Sequence, residues 1–291
     1  MSRLFHNWER LLASGPLRGD RAWLFERLIY LWFLCQWLYF LPIQELLWGP
    51  GSVFNRPSWP LGGVNSVFYG LLYNRSLDDV VIGAHVVAVV LALFGLGRWV
   101  SKAAVYLTGF MLYYAAWPVY NGGSMLMLMY AFFAIFMRIE ARSPGRMAVS
   151  NLGVLAAMLQ LILVYAVAAL YKWFGYDWLH GVALHKSLYQ DAYAYAWPRE
   201  LMGGGILVMA LNYFGLAYQT LFPILVWCKG VKKWLLLAGV GFHLFICVGM
   251  RIPDFGTAML VGYVLFMDET WARRVRRAAQ GLRVRLLSAK T

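Results

Sequence analysis

Long apolar runs alternate with short polar segments along the whole chain. A transmembrane helix needs about 20 consecutive, mostly apolar residues, and the sequence offers eight candidates, the last of them short. They are Glu26–Trp48, Val80–Gly97, Ala103–Tyr120, Ser124–Ile139, Ser150–Trp173, Gly205–Trp227, Trp234–Met250 and Phe255–Met267. This pattern predicts an all-α integral membrane protein, a bundle of about eight transmembrane helices.

We expect a single polytopic domain over residues 1–291. It has a cytoplasmic head at 1–24, the helix bundle at 25–268 and a basic tail at 269–291. Two longer segments, Gly49–Asp79 and Phe174–Gly204, lie on the opposite side from the termini. The second is amphipathic, which predicts that it lies on the outer interface of the membrane.

Basic residues between the apolar runs indicate the orientation. With eight spans, both termini lie on the same side of the membrane, and most of the basic residues lie on that side too. They include the pair Arg98 and Lys102 and the group Lys229, Lys232 and Lys233. Cytoplasmic loops carry an excess of Lys and Arg. We therefore expect a multi-pass protein of the bacterial inner membrane, with its N and C termini in the cytoplasm.

Composition supports the same reading. Hydrophobic residues make up 62% of the 291 residues and charged residues only 13%, whereas a soluble domain carries about 25% charged residues. The net charge is +13, but the basic residues are spread between apolar runs. This distribution argues against a nucleic-acid groove and favours membrane lipids as partners.

Lys172 ends the fifth apolar run. An ionisable group there either snorkels to the outer interface or sits in an apolar pocket, where a neutral amine acts as a base. Asp177, five residues later, is a candidate counter-charge.

His243 and His85 lie inside apolar runs. Histidines in a bundle most often form hydrogen bonds between helices; proton transfer, or a haem or quinone contact, is the alternative. A bis-histidine haem site between the second and seventh spans stays open.

The remaining polar candidates are Arg251 and Asp254, which flank Pro253, and the amides Asn212 and Gln219. Arg251 and Asp254 suggest a local ion pair, or an arginine that holds an anionic group. Asn212 and Gln219 are seven residues apart and so share a helix face. With Lys172 they are candidates to line one polar cavity.

Three segments resemble a known family. The segments YNGGSMLMLMYAFFAIFM, AVAALYKWFGYDWLHGVAL and GFHLFICVGMRIPDFGTAMLVGYVLF are similar to the horizontally transferred transmembrane domain proteins. That group includes the membrane domain of vitamin K-dependent γ-carboxylase and the membrane subunit that matures a bacterial sporulation-delaying toxin.

The resemblance implies a quinol-linked, peptide-modifying chemistry. The family lysine that deprotonates the hydroquinone precedes an Asp-Trp element, so Lys172 and Asp177-Trp178 are the matching positions. The carboxylase has a Lys-Lys pair where this chain has Tyr171-Lys172, a catalytic histidine where it has Gly123, and a lumenal substrate domain for which we expect no counterpart here.

These observations leave three functions open. The first is a membrane-embedded enzyme, carboxylase-like or a quinol-linked oxidoreductase. It would act at the outer face on a peptide or a lipid-soluble substrate, with Lys172 and His243 catalytic and Asp177, Trp178, Arg251, Gln219, Asn212 and His85 positioning the substrate. The second is a non-catalytic anchor for a secreted or soluble partner, and the third is a transporter.

Overall fold

The computed structural model describes residues 12–13, 15–17, 19–49, 52–53, 78–137, 143–203 and 205–288. These residues are helical almost throughout, and a bridge between Ala194 and Met250 is their one extended pairing, which confirms the all-α prediction. The helices are α1 (Gly19–Phe40), α2 (Gln44–Leu47), α3 (Asp78–Leu93), α4 (Arg98–Ala115), α5 (Gly122–Phe136), α6 (Pro144–Trp173), α7 (Tyr176–Leu179), α8 (Ala183–Leu188), α9 (Ala196–Met202), α10 (Ile206–Leu225), α11 (Lys229–Gly249), α12 (Pro253–Tyr263) and α13 (Glu269–Ser288).

Four helical stretches in the described part of the chain are long and apolar enough to cross a membrane. They are Gly19–Leu47, Pro144–Trp173, Ile206–Leu225 and Lys229–Gly249. Three shorter apolar helices are Asp79–Leu93, Gly122–Phe136 and Pro253–Phe266. The structure therefore supports a membrane protein with four candidate spans, and the count of eight stays a prediction.

Each predicted apolar run coincides with a helix, but the ends differ. Helix α6 begins at Pro144, ahead of the predicted Ser150, and α11 begins at Lys229, ahead of Trp234. Backbone hydrogen bonds continue into charged turns that hydropathy does not count. Helix α3 ends at Leu93 rather than Gly97, because Gly95 and Gly97 adopt positive φ angles of 74° and 73° that turn the chain into α4.

The chain divides into two compact units. The first holds residues 1–17, 23–121 and 127–153, and the second holds 18–22, 122–126 and 154–291. The predicted single domain over 1–291 stays a prediction.

The first unit is built around buried aromatic and small residues. Phe25 and Tyr130 meet edge to face at 4.9 Å, and Phe33 packs against His85 and Tyr113. Where α2 ends, the indole of Trp48 donates a hydrogen bond to the Leu112 carbonyl at 3.0 Å. Aromatic pairs of this kind add to burial because ring edges attract ring faces.

In the second unit, α11 packs along α12, and α10 packs against α11 and the short helix α8. The segment 174–204, the predicted outer segment, contains α7, α8 and α9. It joins the end of α11 through backbone hydrogen bonds from Tyr195 to Gly249 and from Arg251 to Tyr193. The segment Gly49–Asp79 lies almost entirely outside the described residues.

Candidate functional site

Three tyrosines and one histidine meet inside the second unit. Tyr165, Tyr218, His243 and Tyr263 come from α6, α10, α11 and α12, and each is at most 5% exposed. We call these four residues the tyrosine–histidine cluster. A polar group in such an environment must be hydrogen-bonded to offset its desolvation.

Hydrogen bonds connect the cluster in series. The Tyr165 hydroxyl lies 2.5 Å from Nε2 of His243 and is also bonded to the Tyr263 hydroxyl. The Tyr263 and Tyr218 hydroxyls are 2.7 Å apart, and Tyr218 donates to the Leu235 carbonyl at 3.2 Å.

The carbonyl at the end of the series fixes its direction. A carbonyl only accepts, so when Tyr218 donates its single proton to Leu235, it accepts from Tyr263. Tyr165 must then donate to Tyr263, and Nε2–H of His243 must donate to Tyr165. The network therefore assigns the Nε2-protonated tautomer to His243.

This assignment leaves Nδ1 of His243 as a bare acceptor. The atom is buried and has no hydrogen-bond partner among the described residues. An unsatisfied buried acceptor costs about 1–3 kcal/mol, so it is a candidate ligand-binding atom. The rings of Phe242 and Phe255 lie 5.0 and 6.2 Å from the His243 ring, centre to centre.

Gly239 makes room for the tyrosine hydroxyls. It lies one turn before His243 on α11, and a Cβ at this position would overlap the hydroxyls of Tyr218 and Tyr263. The ring of Phe222 stacks on Tyr165 with centroids 4.1 Å apart. Small residues let neighbouring helices approach closely, and here one lets the phenols converge.

Lys172 faces an aromatic ring rather than an acid. Its ammonium lies 4.5 Å from the centre of the Trp178 ring, an attraction between a cation and an electron-rich face. Asp177, its predicted counter-charge, pairs with Lys186 at 2.7 Å instead. Asp177 and Trp178 are neighbours on the short helix α7 and point to different partners. Trp178 contacts Lys172, and Asp177 pairs with Lys186 of α8.

Asn212 attaches the outer segment to α10. Its amide donates to the Trp178 carbonyl at 2.9 Å and accepts from the Leu184 backbone at 3.1 Å. Lys172, Trp178 and Asn212 are thus brought together, although Asn212 bonds backbone groups rather than lining an open polar cavity. Gln219 is buried, and its Oε1 has no partner among the described residues.

Arg251 and Asp254 do not pair with each other. The guanidinium of Arg251 lies over the Tyr195 ring at 5.1 Å, and Asp254 accepts a hydrogen bond from Ser124 at 3.0 Å. The expectation of a local ion pair is wrong, because Pro253 starts α12 and directs Asp254 towards α5.

His85 belongs to the first unit. Its Nδ1 lies 2.8 Å from the Thr108 hydroxyl, and that hydroxyl donates to the Ala104 carbonyl. The bond therefore runs from His85 to Thr108 and links α3 to α4, the structural role that a histidine between helices most often has.

Gly123 lies at a close contact between two helices. A Cβ on Gly123 would overlap the backbone of Phe255, so α5 and α12 touch through bare backbone at this point. A histidine fits only if α12 moves away.

A buried ion pair in the first unit was not anticipated. Lys102 donates to Glu26 at 2.6 Å and to the carbonyls of Ala134 and Met137 at 3.1 and 2.7 Å. The Lys102 and Glu26 side chains are only 13% and 4% exposed. The sequence predicts that Lys102 is a loop charge, whereas in the fold it caps the end of α5.

The three tyrosines of the cluster were also missed. Their signal in the sequence is faint: phenols inside apolar runs, and glycines in the GVGFH segment that contains His243. Aromatic residues are common in membrane helices and at membrane interfaces, so only the tertiary structure shows which hydroxyls converge.

Comparison of the chain with protein-family models, with curated proteins and with solved structures finds no significant match.

Proposed function

We propose that this chain is a multi-pass protein of the bacterial inner membrane, with about eight spans and both termini in the cytoplasm. Four helices of sufficient length and apolarity support it, as do the helices found at the other four predicted runs. The basic residues near the chain ends and between these helices support the orientation.

Within this framework, the tyrosine–histidine cluster is the working site of a membrane-embedded enzyme or enzyme subunit of the carboxylase-like kind. The bare Nδ1 of His243 carries this proposal. A hydroquinone supplies reducing equivalents and an acidic hydroxyl when bound. Its hydroxyl complements an acceptor, whereas the carbonyl of a quinone does not.

His243 then takes the role of base, in place of Lys172. A proton that reaches Nδ1 converts the imidazole to an imidazolium, and the Tyr165 oxygen stabilises that charge by accepting from Nε2–H. The aligned phenols hold the imidazole in one orientation. Lys172, seated on Trp178, keeps the outer segment in place.

Binding of a matched redox pair tests the proposal. The full chain in nanodiscs is titrated anaerobically with a short-chain hydroquinone and with its quinone, and binding is followed by quenching of tryptophan fluorescence. We expect the hydroquinone to bind about fivefold tighter, the value of one additional hydrogen bond.

Tyr165→Phe removes the acceptor that sets the tautomer, so the preference for hydroquinone should disappear. Tyr130→Phe is the control, because Tyr130 is a buried tyrosine of the first unit whose hydroxyl has no partner among the described residues. Equal affinities for the two forms in the unmodified protein, or an unchanged preference in Tyr165→Phe, would overturn the role of His243.

A second candidate is an anchor for a secreted partner, acting at the outer segment. Tyr171, Phe174 and Tyr176 are 76%, 83% and 72% exposed, an aromatic surface suited to protein contact. The triple change of these residues to Ser should abolish co-purification of the secreted partner with the membrane fraction and leave hydroquinone binding intact. Co-purification that survives the triple change would contradict the anchor role.

A further inference from the structure

The C-terminal helix α13 is joined to the start of α1 by a set of ion pairs. Glu269 accepts from the Asp20 backbone at 2.7 Å and from the Arg21 guanidinium at 2.6 Å. In return, Arg273 and Arg276 bind the two oxygens of Asp20 at 3.0 and 3.1 Å. We call these contacts the terminal clasp.

The clasp sorts the arginines of α13 into two groups. Arg273 and Arg276 are occupied by Asp20. Arg274 and Arg277 are exposed, and no ion pair joins either of them to another described residue. The side of the helix with Ala272 is buried, so Arg274 and Arg277 lie away from the protein.

The outward side of α13 is amphipathic. Trp271, Arg274 and Ala278 are spaced three and four residues apart, so they lie on one face of the helix. Trp271 is 46% exposed. A helix with an exposed indole and flanking arginines is typical of segments that lie in a membrane interface.

We propose that the outward face of α13 lies on the cytoplasmic membrane surface and binds the headgroups of anionic phospholipids. Charge complementarity identifies the occupant, because the sequence from Thr270 to the C terminus contains basic residues and no acidic ones. This inference rests on the proposed membrane orientation but not on hydroquinone binding.

The clasp holds α13 at the point where α1 begins. A surface helix attached there moves together with the first turn of α1, which belongs to the first candidate span. The charge of the membrane surface therefore acts directly on the start of α1. Arg273 and Arg276 hold the helix to the protein, and Arg274 and Arg277 hold it to the lipid.

Hydrogen–deuterium exchange of the full chain in nanodiscs tests this division of labour. Discs of phosphatidylcholine alone are compared with discs in which a quarter of the lipid is phosphatidylglycerol. We expect the amides of residues 270–288 to exchange several-fold more slowly in the anionic discs, and 0.5 M salt to remove the difference because it screens surface charges.

Two matched double variants remove the same charge from the same helix. In Arg274→Gln/Arg277→Gln, the phosphatidylglycerol effect should fall strongly, since a basic residue near an anionic surface gives roughly a fivefold factor in binding and two give roughly 25-fold. In Arg273→Gln/Arg276→Gln, exchange should rise in both discs while the phosphatidylglycerol effect persists.

Three results would overturn the proposal. They are equal exchange in the two discs, equal loss of the lipid effect in both double variants, or protection of α13 by soluble tRNA or poly-glutamate but not by phosphatidylglycerol. Protein that enters the discs and prefers hydroquinone, yet shows no lipid effect, retains the proposed function. Protein that fails to enter the discs refutes the membrane assignment itself.

Discussion

At the scale of single residues, glycines and buried charges decide more than the apolar pattern suggests. Gly239 looks like any small residue in a membrane helix, yet two tyrosine hydroxyls occupy the space that its side chain would need. Glu26 and Lys102 look like span boundaries, yet they form a buried pair. In each case the loss of stability on substitution depends on which side chains pack against the residue.

Gly239→Ala should destabilise the protein by about 1–3 kcal/mol, the usual cost of overpacking. Thermal unfolding in detergent measures the loss. Gly241→Ala is the control on the same helix, because nothing lies within 4 Å of a Cβ there. Equal melting temperatures for the two variants would contradict the packing of the cluster.

Lys102→Met should cost about 3–5 kcal/mol, because it leaves the Glu26 carboxylate buried and unpaired. Adding Glu26→Gln should recover part of this loss. The exposed pair Lys186–Asp177 is the comparison, and its disruption should cost less than about 1 kcal/mol. Melting curves of these variants, of Glu26→Gln alone and of the unmodified protein test the ranking; additive losses from Lys102→Met and Glu26→Gln would exclude a coupled pair.

At the scale of elements, helix contacts depend on where two backbones approach. Helix α5 meets the start of α12 at Gly123, and Ser124 bonds Asp254 in the next position. The YNGGS segment marks this junction in the sequence as a turn, and the closeness of the second helix appears only in the fold.

Gly123→Ala should therefore push α12 away and lower the melting temperature, whereas Gly122→Ala should be tolerated. A Cβ on Gly122 would meet only the Phe255 ring, at 3.8 Å, an ordinary contact. If Gly123→Ala proves as stable as Gly122→Ala, the junction of α5 and α12 is looser than the structure indicates.

At the scale of the whole molecule, charge and apolar length together predict the orientation. A fluorescent protein fused to either terminus should fluoresce. Its chromophore matures in the cytoplasm, so fluorescence reports that the terminus lies there. A cysteine at Lys186 should react with a membrane-impermeant thiol reagent in intact cells, with the unmodified chain as the control for its own cysteines. If the introduced cysteine is labelled only after lysis, residue 186 faces the cytoplasm and the proposed orientation is wrong.

The sequence by itself determined that the protein is helical and suited to a membrane, because apolar runs and their lengths are local properties that hydropathy records directly. It also identified His243, Lys172, Asn212 and Gln219 as polar groups that need a reason inside apolar surroundings. It could not supply the reasons: Lys172 and Asp177 were assigned to each other, while the fold gave them Trp178 and Lys186. Only the tertiary structure decided that three phenols from separate helices orient one imidazole, because hydrogen bonds between distant residues depend on where helices meet.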